Sequence, residues 1–219
     1  MHLAGGTVAE RVATLRERVD EVAVASGRAP GSVAILAVTK TQPRDAVVAA
    51  LEAGVRDVGE NYVQEARAKY DALPPCTKHF VGHVQRNKAK AIAGLFDVVQ
   101  SVDRLEAGLA LAKAARDAGR RLRVLVQVNV SPTERFGAAP ADAPGLAARL
   151  RDEGLAVDGV MAIGPLEGDV DAAFERVGGT TLSMGMSGDW ERAVRHGSTM
   201  VRIGTAIFGP RPAKERSLA

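Results

Sequence analysis

Val33-Ala34-Ile35-Leu36-Ala37-Val38-Thr39-Lys40-Thr41-Gln42-Pro43 is a nearly continuous apolar run of strand length, stopped by a lysine and followed by a proline able to open a helix. A strand apolar at successive positions is buried on both faces, as in parallel sheets covered by helices. A helix is expected from Pro43 to Ala53, and the same strand-then-helix unit recurs along the chain. Further strands are expected at Val55 to Gly59, His79 to Gly82, Phe96 to Gln100, Leu122 to Val130, Gly159 to Ile163, Thr181 to Met184 and Thr199 to Ile203. Helical stretches lie between them near Tyr62 to Ala72, Gln85 to Ala93, Asp103 to Ala118, Ala141 to Glu153 and Asp189 to His196.

Eight such strands in 219 residues fit a closed (β/α)8 TIM barrel with short connections. An open doubly wound sheet is the rival. The barrel is preferred because Lys40, Glu60-Asn61, His83, Ser131, Gly164, Ser187 and Gly204-Thr205 all fall just after strands, and in a barrel those loops share one mouth. An extra helix precedes the first strand: Thr7-Val8-Ala9-Glu10 offers a capping box, and Val8, Val12, Leu15, Val19 and Val22 recur at helical spacing up to about Gly27. The expectation is a single domain over residues 1–219, with a core of about 8–211, and a tail from Pro210 to Ala219 that forms a surface strap or frayed end.

With 46% hydrophobic residues the chain can bury one substantial core without disulfide or metal. The net charge of +3 arises from 29 basic residues scattered among 26 acidic ones, which argues against nucleic acid as partner. The lone Cys76 rules out an intrachain disulfide and fits a reducing compartment. No run reaches membrane-spanning length, and Glu10, Arg11, Arg16 and Glu17 stand where a signal peptide needs apolar residues. A cytoplasmic protein without membrane partner is expected, as a monomer, with a dimer as the alternative.

Lys40 starts at the C-terminal end of the first strand, with a stem long enough to reach the barrel axis. A lysine partly desolvated there can act as a nucleophile toward an aldehyde. At the other end of the chain, Gly197-Ser198-Thr199-Met200-Val201-Arg202-Ile203-Gly204-Thr205-Ala206-Ile207-Phe208-Gly209 places Arg202 in the last strand with a small-residue turn after it. Small residues let backbone amides approach a phosphate, and barrels often hold phosphate after strands seven and eight. Leu182-Ser183-Met184-Gly185-Met186-Ser187 supplies the other half, with hydroxyls from Ser183 and Ser187. Together these segments describe an aldehyde-binding amine facing a phosphate cradle.

The residues carrying this pattern also resemble a family. Ala37-Val38-Thr39-Lys40-Thr41-Gln42-Pro43, Gly59-Glu60-Asn61-Tyr62-Val63-Gln64-Glu65, His79-Phe80-Val81-Gly82-His83-Val84-Gln85-Arg86-Asn87-Lys88 and the stretch from Leu182 to Gly209 look like the pyridoxal phosphate homeostasis proteins, the PROSC-like group. The resemblance runs from about residue 8 to residue 211. It implies a fold-type III barrel like the N-terminal domain of alanine racemase, with pyridoxal 5′-phosphate (PLP) held as a Schiff base on Lys40 and Arg202 beside the pyridine nitrogen. It also implies Asn61 near the cofactor ring, with Ser183, Met184, Ser187, Gly204 and Thr205 on the phosphate side. PLP-dependent apo-enzymes would be the recipients of a carried cofactor. Arg135 before Gly137 stands where many relatives carry a lysine; it keeps the charge but cannot form an imine. Relatives also insert a full helix between Ile163 and Ser183, whereas Asp169 to Val177 leaves room for about two turns. Either the helix after the sixth strand is shortened or a stretch is missing from the sequence.

Other constellations carry less. His79 and His83 stand four apart but lack a third ligand at metal spacing, so no metal is expected. Lys78, Arg86, Lys88 and Lys90 form a local basic patch without interleaved aromatics and fit a solvated helix face. Asn61 also fits a helix cap. An arginine at the pyridine nitrogen donates only, which keeps that nitrogen unprotonated and weakens the cofactor as an electron sink. Racemases with this arrangement add a tyrosine base from a second domain, and here the only tyrosines are Tyr62 and Tyr70. The expected role is binding and transfer rather than catalysis. The alternatives are a weak amino-acid racemase and, behind it, a barrel enzyme acting on a sugar phosphate.

Overall fold

The computed structural model describes residues 6–133, 135–165 and 168–210. The tail expectation for 211–219 lies outside them. Eight parallel strands close into a barrel in chain order. They are β1 (Ala34–Val38), β2 (Asp57–Glu60), β3 (Thr77–Phe80), β4 (Val98–Val102), β5 (Arg123–Val128), β6 (Ala156–Ala162), β7 (Thr181–Ser183) and β8 (Met200–Ile203). The barrel closes where β1 pairs with β8, Leu36 opposite Arg202 and Ala37 opposite Ile203, which excludes the open sheet. Each expected strand is present, with its ends shifted by a few residues.

The helices are α1 (Val8–Ala25), α2 (Arg44–Glu52), α3 (Val63–Lys69), α4 (Ala89–Leu95, entered through a 3-10 turn at Arg86–Lys88), α5 (Leu105–Asp117), α6 (Ala143–Asp152), α7 (Val170–Glu175), α8 (Trp190–Arg195) and α9 (Thr205–Phe208). The capping box opening α1 is formed: Thr7 Oγ1 accepts from the Glu10 amide at 3.2 Å, and Glu10 Oε2 accepts from the Thr7 amide at 2.6 Å. The apolar face of α1 (Val12, Leu15, Val19) then packs with Val201, Ile203 and Trp190, covering the β1–β8 seam.

Strand alternation divides the side chains into two sets. Ile35 and Ala37 of β1, Val58 of β2, Phe80 of β3, Val124 and Val126 of β5, and Leu182 of β7 join the apolar shell between sheet and helices. Leu36, His79, Gln100, Leu125, Gln127, Met161, Ser183 and Arg202 belong to neither shell cluster and are buried, so they fill the interior of the barrel. The apolar core therefore lies outside the barrel, and the interior is free to be polar. Phe96 anchors the shell, with its ring 5.1 Å from Phe80 and 6.1 Å from Tyr70 between centroids.

Two elements differ from the regular unit. The helix after β6 is short: α7 has 6 residues, and most of β6 stays half-buried beside an outer groove of about 480 Å³ lined by Ala147, Val160 and Gly179. The barrel wall is thinner there. The segment expected as a turn after β8 closes instead as the one-turn helix α9.

Because Phe96 is fully buried between two rings, Phe96→Ala is expected to cost about 3–5 kcal/mol of unfolding free energy in urea titration.

Candidate functional site at the barrel mouth

Lys40 lies two residues past β1, in register with the inward positions Leu36 and Val38, and is half-buried. Its flanking residues are both fixed. Lys69 Nζ, from the end of α3, donates to the Thr39 carbonyl at 2.6 Å and ion-pairs with Glu60 at 2.7 Å and Glu65 at 3.0 Å. Glu65 Oε2 in turn accepts from the Thr41 amide at 2.7 Å. Thr41 has φ of 64°, a left-handed conformation that costs energy for a β-branched residue and that this bond helps to hold. Thr39 Oγ1 lies 2.8 Å from Tyr70 Oη and 3.1 Å from Glu60 Oε2. The amine of Lys69 is thus saturated by anionic and carbonyl acceptors. Lys40 has no ion pair or hydrogen bond among the described residues, which leaves it the chemically available amine of the two.

Burial acts on the Glu65 carboxyl to raise its pKa, but the Thr41 amide, Lys69 and Lys40 outweigh it and hold the group below the ordinary value. Burial pushes the Tyr70 hydroxyl far above its ordinary value.

Arg202 is buried inside β8 at 5% exposure. Its Nη1 donates to the Ser183 carbonyl and, at 3.0 Å, to Ser183 Oγ; its Nη2 donates to the Ala162 carbonyl at 2.8 Å. A guanidinium has five donors, so two remain uncommitted. Desolvation lowers its pKa to about 10, with Asp189 opposing, so it stays charged at neutral pH. Asp189, after β7, accepts from the Met186 amide at 2.6 Å and packs where Gly164 leaves room for it.

Asn61 follows β2, and its Oδ1 is the buried side-chain acceptor left without a partner among the described residues. Its backbone approaches Gly82 so closely that any side chain at position 82 would collide with the Asn61 carbonyl. Gly204 and the exposed Thr205 sit at the start of α9, beside Val38 of β1. Lys40, Asn61, Ser183, Arg202, Gly204 and Thr205 therefore share the C-terminal end of the barrel. Two expected residues are placed differently. The Met184 side chain belongs to the outer apolar shell because alternation turns it away from the inward Ser183, leaving only its backbone at the barrel. Ser187 is exposed and lines a groove of about 260 Å³ with Thr14, Arg18 and Ala206 of the α1 side.

His79 points into the barrel while His83 lies at the mouth, its ring stacked on Phe136 at 4.0 Å. The described residues hold no group of three or more His, Cys, Asp and Glu suited to a metal ion, nor a helix long and apolar enough to cross a membrane. Arg135 is exposed in the β5–α6 loop and borders a mouth cavity of about 650 Å³ with Gln127, Phe136 and Ile163. Glu60 stands among the polar residues expected just after strands, whereas Lys69, Gln100 and Asp189 carry no such expectation. For Lys69 the available signal was a lysine on the helical face i+4 from Glu65.

A model of the alanine racemase N-terminal domain family matches residues 11–212. A protein of Pseudomonas aeruginosa named pyridoxal phosphate homeostasis protein is 43% identical, the alignment covering 94% of this chain and 96% of that one. One of the same name from Escherichia coli K12 is 36% identical over 93% of this chain and 97% of that one. The solved structure of PipY from Synechococcus elongatus PCC7942 with PLP bound is 35% identical, with a TM-score of 0.77 over 93% of this chain and 100% of that one.

Removing the Lys69 ammonium strands the fully buried Glu60, so Lys69→Met is expected to cost about 3–5 kcal/mol in denaturant unfolding, with Lys69→Met/Glu60→Gln recovering part of it. Glu65 has a folded pKa below its unfolded one, so its contribution is complete above the ordinary value of 4.5 and is lost as pH falls through the lower folded value. Glu65→Gln is expected to flatten that acid limb of the melting temperature against pH.

Proposed function

Since the chain belongs to the alanine racemase N-terminal domain family and, within it, to the pyridoxal phosphate homeostasis proteins, we propose that it holds pyridoxal 5′-phosphate at the barrel mouth through Lys40 and passes it to apo-enzymes. The protein binds pyridoxal 5′-phosphate and serves in vitamin B6 homeostasis. The observation that carries the assignment of the site is the meeting, at one end of one barrel, of a partner-free amine at Lys40, a buried cation with two spare donors at Arg202 and an orphaned acceptor at Asn61 Oδ1. Buried polar atoms are normally paired, so an acceptor and donors left over together fit a polar ligand.

The cofactor supplies an aldehyde, a ring that accepts electrons and a phosphate. Lys40 is the amine that captures the aldehyde, and the Lys69–Glu60–Glu65 cluster fixes the backbone on both sides of it. Arg202, charged and able only to donate, holds the pyridine nitrogen without giving it a proton. Ser183 Oγ is spent on Arg202 and Gln100, so it supports the arginine rather than the phosphate. The phosphate falls to the backbone of Gly204 and Thr205, the first amides of a helix having no intrahelical acceptor. Met184 contributes at most its backbone, and Ser187 reaches the site only from its rim.

This arrangement favours storage over turnover. An unprotonated pyridine nitrogen weakens carbanion stabilisation. Neither tyrosine is set up as a second base: the Tyr70 hydroxyl is engaged with Thr39 and its pKa is pushed up, while Tyr62 is 57% exposed. The relatives are named for homeostasis rather than for a reaction.

Lys40→Ala is expected to lose the visible absorbance and the borohydride-trapped adduct of the holo-protein; a persistent adduct in that variant would transfer the role to another lysine. Incubated with a panel of L-amino acids, the holo-protein is expected to yield no D-enantiomer at a rate near 1 per second, an ordinary enzymatic turnover. Such a rate would make the racemase reading the better one. Mixing the holo-protein with an apo-enzyme in the presence of a scavenger of free cofactor is expected to restore that enzyme's activity.

A further inference from the structure

Below the mouth, a line of hydrogen bonds crosses the barrel interior toward its opposite end. Arg202 Nη1 donates to Ser183 Oγ at 3.0 Å, and Ser183 Oγ donates to Gln100 Oε1 at 2.8 Å. Gln100 Nε2 lies 2.9 Å from His79 Nδ1, and His79 Nε2 lies 2.9 Å from Asp57 Oδ1. The line passes from β8 through β7, β4 and β3 to the first residue of β2. Ser183, Gln100 and His79 are buried, and the Asp57 side chain is 20% exposed.

Its two ends have fixed chemistry. Arginine can only donate and an ionised aspartate can only accept, so the bonds at the two ends have fixed direction, and the orientation of the Gln100 amide sets the two between them. Asp57 requires a proton on His79 Nε2; Gln100 Nε2, facing Nδ1, requires that nitrogen to be bare. Rotating the Gln100 amide would demand an imidazolium at His79 and would set both Gln100 and Arg202 as donors to Ser183 Oγ, taking away the acceptor its own hydrogen now uses. The arrangement in which all members are satisfied is thus the one with a neutral imidazole, and aligned bonds of this kind strengthen one another.

This line also answers a question raised by Arg202. Its direct acceptors, two carbonyls and a hydroxyl, are all neutral, although a buried cation ordinarily sits against an anion. Asp189 acts on it through space, and the line of oriented dipoles ends on the carboxylate of Asp57.

We propose that Asp57, His79, Gln100 and Ser183 are positioning residues for Arg202, a polarised spine that fixes its guanidinium from inside the barrel and so sets how long the ligand above it stays bound. The link to ligand residence rests on the reading of Arg202 as part of the PLP site. The spine itself does not.

The test uses the full-length protein with and without PLP. In the apo-protein, nitrogen-15 spectra at neutral pH are expected to show His79 with its single proton on Nε2; a proton on Nδ1, or an imidazolium, overturns the spine whether or not the protein binds PLP. In Gln100→Leu, or in the unbranched Gln100→Met should the first variant fold poorly, Arg202 side-chain protons are expected to exchange faster with solvent than in wild type. The Lys40 adduct is still expected to form, while PLP leaves about tenfold faster, the equivalent of one lost hydrogen bond in a charged network. Unchanged Arg202 exchange together with an unchanged release rate in a folded Gln100 variant overturns the proposal. If wild type takes up no PLP, it is the PLP reading that fails, and the two apo measurements still decide the spine.

Discussion

Closure of the barrel through the pairing of β1 with β8 is the constraint on which the remaining structure depends. It sets Leu36 opposite Arg202, residues separated by most of the chain, and strand alternation then sends Lys40 and Arg202 to the same enclosed space. The seam is held from outside by α1, whose apolar face packs over Val201 and Ile203. Arg11 Nε adds a hydrogen bond to the Ile207 carbonyl at 2.8 Å, and Arg28 Nη1 one to the Ser198 carbonyl at 2.7 Å. The N-terminal helix therefore belongs to the machinery of closure rather than being an appendage.

With apolar burial assigned to the shell outside the strands, the interior can carry polar groups, provided each is satisfied. Two cations show how differently that condition is met. Lys69 is surrounded by Glu60, Glu65 and the Thr39 carbonyl, so its amine is fully engaged in ion pairs and a hydrogen bond. Arg202 is surrounded by neutral acceptors and keeps two donors in hand. The first cation is neutralised by its surroundings, and the second keeps donors free.

Much of this was legible in the residue order. The strand-helix alternation, the capping box at Thr7 and the shortened stretch from Asp169 to Val177 are local signals, and local signals determine local elements. The positions of Lys40, Asn61 and Arg202 after or within strands were readable for the same reason. Gly204-Thr205-Ala206 reads as a turn from its small residues, whereas one helical turn forms there with Ile207 buried against α1. The resemblance groups Met184 with Ser183 on the phosphate side; strand alternation turns its side chain to the outer shell and leaves its backbone at the barrel.

The sequence by itself determined the alternation of parallel strands and helices and the place of Lys40 just past the first strand, since periodicity and the residue ending a strand are properties of short segments. Tertiary structure alone decided that Lys69 clamps the backbone around Lys40, and that Gln100 and His79 line up between Arg202 and Asp57. Those contacts join residues far apart in the chain, and no spacing rule carries them. The clamp forms because α3 packs back over the ends of β1 and β2, and the Gln100–His79 line because closing the ring brings β2, β3, β4, β7 and β8 around one narrow interior, where polar side chains find partners across the barrel.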